Sequence, residues 1–301
     1  MRPEEVLERP PKVLGQRQRE QYFEDGYVVI DRLLSQEWLV RIDEVSRRFI
    51  ESSREVSESN GTYYLEAGHS SEAPRLQRLN GPVEKDPLYW QVASESPIVD
   101  VAEDLLGPSV RFHHSKLNFK WSGGGAEIKW HQDIQFWPHT DYSPLTIGIY
   151  LDDVDSEMGP MGIVPRSHRG PLFELRDAAG EWTGYLSDDD LEEVSLDQVS
   201  WLEGAAGSVT VHNCRCVHGS VPNQSDRPRP LLLNVYSPGD SVPITPLVAP
   251  LAKSGTMVRG EDPGWVQLDP RPCPMPPLPG SGYRSVFDRE REGRHGFGET
   301  S

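Results

Sequence analysis

The sequence predicts an α+β fold built on an antiparallel barrel or double sheet. The first 108 residues are dominated by helical hydrophobic spacing, with little strand pattern between the helices. From residue 109 onward, short alternating or apolar segments are separated by turns that contain glycine and proline. Helices followed by a run of short strands are typical of this class. No internal repeat is visible, so we predict one domain over residues 1–301.

The N-terminal part, residues 1–108, is predicted to be mainly helical support. Residues 1–15 are charged and aperiodic, which predicts a loose lead-in. A helix is expected over Gln16–Asp25, ending at Gly26, because glycine is the residue preferred after a helix C-terminus. Residues 51–95 are mixed and polar and give no ordered prediction. The remaining expected elements are strand Tyr27–Ile30, a helix after the N-cap Ser35, and a helix starting at Ser96-Pro97 and stopping at Gly107-Pro108.

Residues 109–240 are predicted to form the β core. Within it, residues 170–200 lack strand patterns and carry an acidic run; this insert is either a lid over the substrate or a solvated loop. Residues 241–301 are proline-rich and predict an irregular C-terminal extension. The expected strands are Val110–Trp121, Glu127–Trp137, Leu145–Leu151, Met161–Val164, Ser208–Val211 and Leu231–Tyr236.

Composition narrows the class of protein. The formal net charge of −17 disfavours binding to nucleic acids or anionic membranes. The sequence has no apolar run of 18 residues and no apolar signal region at its start, so we expect a cytoplasmic protein. Three cysteines, two of them in the C-x-C pair Cys214 and Cys216, predict neither a disulfide framework nor a zinc ribbon. A small-molecule substrate is therefore the expected partner.

The strongest chemical signal is His131 with Asp133 in an aromatic, β-prone run. Side chains two residues apart on a strand emerge on the same face, so this pair could bind one metal ion. Together with a second histidine, it would form the facial triad that leaves coordination positions open on iron(II). Because H-x-D pairs also occur by chance, the third ligand must come from elsewhere in the chain.

A later segment supplies candidates for the missing groups. His218 directly follows a predicted strand and is the best candidate for the third metal ligand. Arg229 precedes the apolar strand Leu231–Tyr236, and its guanidinium could hold a carboxylate through two parallel hydrogen bonds. Arg227 is the alternative for that role.

This ordered set resembles the phytanoyl-CoA dioxygenase family of Fe(II)- and 2-oxoglutarate-dependent oxygenases, and its ectoine hydroxylase-like branch in particular. The resemblance covers residues 23–236. It is carried by HHSKLNFK (113–120) with WHQD (130–133), GPMGIVPRSHRGPL (159–172) and VHGSVPNQSDRPR (217–229), and the opening YFEDGYVVID (22–31) is also similar.

The resemblance implies a double-stranded β-helix, or jelly-roll, that binds Fe(II), 2-oxoglutarate and O2 and hydroxylates a small molecule with release of succinate and CO2. By matching position, the metal ligands would be His131, Asp133 and His218, which with Arg229 form the catalytic set. The residues implied to contact 2-oxoglutarate are Arg229, Ser220, Asn118 and Lys120. Asp133 argues for hydroxylation, because halogenases of this type lack the carboxylate ligand.

The implied substrate pocket differs from that of ectoine hydroxylase. Trp137 matches an aromatic residue that lines the pocket. His114 stands where a substrate-binding glutamine is expected, and His212 and Leu233 replace two phenylalanines. These changes make ectoine a doubtful substrate and point to a different small molecule or natural-product intermediate.

Two other functions are compatible with the residues. A non-catalytic jelly-roll protein could bind a small ligand or sense 2-oxoglutarate, although such a protein need not keep an open iron site. A cupin-like metalloenzyme would work without 2-oxoglutarate and would not need Arg229.

Overall fold

The computed structural model describes residues 2–123, 127–246 and 251–277. Over these ranges the helices are α1 Pro3–Leu7, α2 Gln16–Asp25, α3 Gln36–Ser52, α4 Pro87–Glu95, α5 Pro97–Leu106 and α6 Asp188–Glu192. The predictions for α2, α3 and α5 are confirmed, with Ser35 and Ser96 at the N-cap positions. Gly26 ends α2 at a φ of 85°. A side chain is excluded there, because a Cβ would lie 2.5 Å from Sγ of Cys216.

The strands form two antiparallel sheets, which confirms the predicted α+β class. The strands are β1 Tyr27–Ile30, β2 Tyr63–Leu65, β3 Leu76–Asn80, β4 Val110–Lys120, β5 Ile128–His131, β6 Leu145–Tyr150, β7 Met161–Ile163, β8 Ser200–Leu202, β9 Val209–Asn213, β10 His218–Ser220, β11 Arg229–Pro238 and β12 Met257–Arg259. The larger sheet has the order β1-β9-β6-β11-β4-β3-β2, with β12 paired to β4, and the smaller sheet has the order β5-β10-β7-β8.

Two strands, β2 and β3, come from residues 51–95, for which no order of elements is predicted. They extend the larger sheet beyond β4. Short strands with a mixed polar pattern lack the alternation on which sequence-based assignment depends. Residues 124–126, just before β5, lie outside the described residues, as do residues 247–250 and 278–301 of the predicted C-terminal extension.

The larger sheet separates the hydrophobic core from a cavity. Ile147, Val211 and Leu232 are fully buried in one cluster with residues of α2, α3, α4 and α5. Their strand neighbours Thr146 and Leu233 line a cavity on the other face. Because successive side chains of a strand alternate between faces, one sheet serves both the core and the cavity.

The pairing of β4 with β11 fixes which side chains of these two central strands lie side by side. Arg229 is opposite Lys120, Leu231 is opposite Asn118, and Leu233 is opposite Lys116. A register shift interrupts the ladder between Val235 and Tyr236.

The expectation of a loose lead-in over residues 1–15 is wrong. The buried carboxylate of Asp104, on α5, accepts backbone hydrogen bonds from Lys12, Val13 and Leu14 at 2.7–2.8 Å. Buried Arg19 donates to the carbonyl oxygens of Val6, Arg9 and Asp104. Long-range side-chain contacts of this kind leave no periodic signal in the sequence.

None of the helices in the described ranges is long and apolar enough to cross a membrane.

Replacing Asp104 with alanine is expected to destabilise the fold by about 3 kcal/mol, because several buried N–H groups would lose a charged acceptor. Urea unfolding at unchanged m-value measures the effect. The control is Asp43→Ala on α3, which removes a solvent-exposed pair with Arg47 and should lower the free energy of unfolding far less than Asp104→Ala does. Equal losses in the two variants would contradict the assigned role of Asp104.

Candidate metal centre and active site

Three side chains converge at the end of the smaller sheet. His131 ends β5, and His218 begins β10 directly opposite it in the antiparallel register. Asp133 completes the group, with its Oδ1 at 3.9 Å from Nε2 of His131 and 4.0 Å from Nε2 of His218. All three residues are buried, and their potential ligand atoms lie within 4.8 Å of one another. The chain therefore brings together the three metal ligands expected from the sequence.

The predicted strand Glu127–Trp137 is too long. Strand β5 ends at His131, and Asp133 begins a short 3-10 helix. The pairing strand β10 begins at His218 opposite His131, so the backbone beyond His131 has no ladder partner. Asp133 thus reaches the metal position from a turn and not from the face of a strand.

Buried Gln132 holds this turn in place. Its side-chain amide donates to the carbonyl oxygens of Pro171 and Arg215 at 3.0 and 2.9 Å. Its amide oxygen accepts from the backbone N–H of Phe173 at 3.1 Å. The residue between the two ligands is therefore tied to two other segments of the chain.

Hydrogen bonds orient each ligand. Nδ1–H of His131 donates to the carbonyl of Lys129 at 2.7 Å, and Nδ1–H of His218 donates to the carbonyl of Cys216 at 3.0 Å. The lone pair of each imidazole is consequently on Nε2, which faces the metal position. Oδ2 of Asp133 accepts from the hydroxyl of Thr146 at 2.8 Å, which leaves Oδ1 for the metal.

The protonation states also suit metal binding. Burial lowers the pKa of both His131 and His218, so both imidazoles are neutral at neutral pH. Burial alone would raise the pKa of Asp133. The charge of Lys116 and the hydrogen bond from His212 outweigh the effect of burial. Together with the nearby His218, they hold the pKa of Asp133 well below its usual range. A metal site requires these forms, two neutral imidazoles and one carboxylate.

The donor set fits iron(II). Two imidazole nitrogens and one carboxylate oxygen on one side of an ion leave positions open for further ligands, as in non-haem iron oxygenases. The ligand atoms border a cavity of about 750 Å³, which is within the usual range of small-molecule sites, about 300–1,000 Å³.

Arg229 lies in the same cavity and is suited to a carboxylate. It is the first residue of β11 and is buried, and its Nε and Nη1 have no hydrogen-bond partner among the residues that the structure describes. A buried guanidinium with unpaired donors is costly unless a ligand accepts from them. Arg227, the alternative, pairs at the surface with Asp152 and Asp155. The unpaired donors are thus those of Arg229.

Of the other residues expected to contact 2-oxoglutarate, two line the cavity and one does not. Ser220 and Asn118 line the cavity, and the amide oxygen of Asn118 accepts from Nε of Arg78 at 2.8 Å. Lys120 is buried but is not among the residues lining the cavity, and its ammonium donates to the carbonyl of Val221.

All four residues expected at the substrate line the cavity, namely Trp137, His114, His212 and Leu233. His212 also lies 3.4 Å from Oδ2 of Asp133 through its Nε2, so it contacts the metal ligand. Nδ1 of His114 lies 2.7 Å from Nδ1 of His113. Burial, and next the charge of Lys116, lower the pKa of His114 to about 3, so this imidazole is neutral.

Three further residues contribute to the site, and none of them has a definite role predicted from the sequence. Thr146 donates a hydrogen bond to Asp133. A lone threonine in the apolar run Leu145–Leu151 could have indicated such a polar role. Lys116 shares the strand face of Asn118 and lines the cavity, but spacing alone does not distinguish it from a surface lysine. Arg78 lies on β3, in the segment that gave no ordered prediction.

Residues of the 170–200 insert pack against the segment that carries the ligands. The ring of Trp182 contacts Phe136 edge-on, with centroids 5.7 Å apart, and the backbone N–H of Leu186 donates to the carbonyl of Trp130 at 2.8 Å. The acidic helix α6 lies at the surface of the insert. Phe136 lines the cavity, whereas no insert residue is among its described lining. A lid role for the insert stays a prediction.

Comparisons with known proteins agree with this geometry. The family described as Phytanoyl-CoA dioxygenase (PhyH) matches residues 22–231. A protein of Stutzerimonas stutzeri described as "Probable alpha-ketoglutarate-dependent hypophosphite dioxygenase" is 35% identical over 231 residues, 75% of this chain and 80% of that protein. L-proline trans-4-hydroxylase of Streptomyces griseoviridis is 28% identical and covers 77% of this chain and 90% of its own.

A solved structure shares the fold. The apo form of EctD from S. alaskensis superposes with a TM-score of 0.67 at 21% identity and covers 88% of this chain and 91% of its own. The family match spans more than half of the chain and includes His131, Asp133 and His218. The chain belongs to the phytanoyl-CoA dioxygenase family.

Proposed function

We propose that this chain is an Fe(II)- and 2-oxoglutarate-dependent dioxygenase that hydroxylates a C–H bond of a small molecule. One observation carries the proposal. The guanidinium of Arg229, which has unpaired donors, lies in the same cavity as the two histidines and one carboxylate that could hold a metal ion. The α-ketoglutarate-dependent relative and the proline hydroxylase support this reaction class. We place the activity in the cytoplasm, where the free thiols Cys214 and Cys216 would stay reduced.

Each part of the site has a distinct task. Bound iron(II) and 2-oxoglutarate would supply the oxidising chemistry with O2, leaving succinate and CO2 as co-products. His131, Asp133 and His218 would hold the metal by three positions and leave the others open. Arg229 would hold the far carboxylate of 2-oxoglutarate, with Ser220 and Asn118 beside it. Because Asp133 keeps the third protein position, hydroxylation is favoured over halogenation.

The neighbouring side chains exclude water and position the substrate. Trp137 and Leu233 give the cavity apolar walls, whereas His114 and His212 offer polar contacts. Hypophosphite and L-proline, named for the two relatives above, and ectoine, named for several others, are the first compounds to test.

Replacing His131 with alanine should lower iron-dependent succinate formation from 2-oxoglutarate by at least about 100-fold. Loss of an outer hydrogen-bond partner of a metal ligand already costs about 10–100-fold, and loss of the ligand itself should cost more. The control is His69→Ala, a histidine whose ring bonds the backbone of Val56 and Arg75, away from the cavity. Retained turnover in the His131 variant would refute the metal assignment.

Replacing Arg229 with alanine should raise the KM for 2-oxoglutarate by at least about 30-fold, because truncating one partner of a buried charge pair costs about 2–5 kcal/mol. Arg229→Lys should recover only part of the loss, since lysine cannot form two parallel hydrogen bonds. Arg227→Ala is the matched control and should change KM less than about threefold. A larger effect at Arg227 than at Arg229 would reverse the assignment.

The same assays separate the competing functions. A non-catalytic sensor would bind iron and 2-oxoglutarate anaerobically but release no succinate with O2 and any compound tested. A cupin-like enzyme that does not use 2-oxoglutarate would keep its activity in Arg229→Ala.

A further inference from the structure

The charge of the cavity is opposite to that of the chain. The sequence carries 47 acidic and 30 basic residues. Among the described residues that line the cavity, however, Asp133 is the only acidic one, and the basic ones are Arg78, Lys85, Lys116 and Arg229. A cluster of cations inside an acidic protein indicates a ligand that brings negative charge.

The proposed cofactors do not account for all of these cations; this step rests on the proposed function. Iron(II), the Asp133 carboxylate, dianionic 2-oxoglutarate and the Arg229 guanidinium together have no net charge. Lys85 is exposed at the cavity mouth, where water screens its charge. The positive charge of Lys116 remains inside the cavity after the charges of iron, Asp133, 2-oxoglutarate and Arg229 are summed, and Arg78 lies on the adjacent strand with its Nε donating to Asn118.

Lys116 is the more informative of the two. It lies on β4 between His114 and Asn118, and all three line the cavity. Its ammonium forms no hydrogen bond and no ion pair with any residue that the structure describes. Lys116 is half-buried, and the carboxylate whose charge acts on it is Asp133, which iron would engage, so a bound anion is the natural counter-charge once the metal is in place.

The neighbouring histidine pair supplies a second donor. Nδ1 of His113 and Nδ1 of His114 are 2.7 Å apart, so one of them donates a proton to the other. Nε2 of His113 is buried and has no hydrogen-bond partner within the described ranges of the chain. Buried N–H groups without a partner are rarer in proteins than bare acceptors. We therefore assign the shared proton to Nδ1 of His113, which leaves Nε2 of His114 as an N–H donor.

We infer that the substrate carries a compact oxyanion, such as a carboxylate, sulfate or phosphate group, that binds between Lys116 and Nε2–H of His114. Arg78, held against Asn118, adds a second positive charge to this subsite. Asp133 would bind the iron, so no other described acidic residue of the cavity would remain for a cationic group. The preferred substrate is therefore a molecule of net negative charge.

Anion binding tests the subsite directly. Inorganic phosphate and sulfate are titrated calorimetrically into the anaerobic protein loaded with Fe(II) and saturating 2-oxoglutarate, so that Arg229 is already occupied. Wild type should bind at least one of the two anions with a millimolar or lower Kd. Lys116→Met should weaken this binding at least tenfold, and Lys116→Arg less than threefold.

Two controls define the specificity of the effect. Lys12→Met removes the same charge from a surface pair with Glu103 and should leave anion affinity unchanged. The 2-oxoglutarate Kd of Lys116→Met should stay within threefold of wild type. Absence of anion binding in wild type, unchanged binding in Lys116→Met, or an equal loss of 2-oxoglutarate binding would each overturn the inference.

Stability supplies an independent readout. Lys116→Met should unfold at the same temperature as wild type or at a higher one, because methionine occupies a similar volume without an unpaired charge. A lower unfolding temperature would mean that Lys116 serves the fold, and the subsite assignment would fall.

A succinate-release screen separates this inference from the proposed function. Small anions are compared with their neutral amides or esters and with zwitterions such as L-proline and ectoine. Stimulation of succinate release by anions alone supports the subsite. Stimulation only by neutral or zwitterionic compounds keeps the proposed function and overturns the subsite. Absence of any 2-oxoglutarate turnover overturns the proposed function, while the phosphate titration still decides whether the anion subsite exists.

Discussion

The antiparallel pairing of β5 with β10 is the contact on which the metal centre depends. It places His131 and His218 opposite each other at one end of a short sheet. The third ligand can join them only because the chain turns immediately after the strand, where Gln132 anchors the turn to two other segments. Backbone pairing and the contacts of Gln132 therefore help to hold the three ligands in place, as a site that must leave positions open requires.

The larger sheet connects this centre to the rest of the fold. Its outer face is buried under the N-terminal helices, which keeps the strands rigid, and its inner face presents polar and charged side chains to the cavity. The face under the helices packs apolar side chains, whereas the face toward the cavity carries hydrogen-bond donors that are unpaired among the described residues. The core offsets the cost of withdrawing cations such as Arg229 from water.

Much of this arrangement could be predicted from the sequence, and the exceptions have physical reasons. Gly26, Ser35 and Pro97 mark helix ends through local backbone preferences, so α2, α3 and α5 were found. The metal ligands were found because their residue types and order are distinctive. The end of β5 was missed, because a strand ends where its partner ends, and that is a property of the tertiary structure. Asp104 and Lys116 were not resolved, because their roles arise from contacts with residues distant in the sequence.

The register between β4 and β11 sets the positions at which side chains of these strands face the cavity. Side chains that face the cavity recur every second residue, about 6.7 Å apart along a strand. On β11 Arg229 and Leu233 are two such steps apart, and on β4 the same interval separates Asn118 from His114. Substitution at Leu233 or His114 can thus alter one part of the cavity without displacing Arg229 or Asn118. A shift of the register by one residue would turn all of these side chains from the cavity into the core. The side chains at the cavity-facing positions can therefore vary only while the register stays fixed.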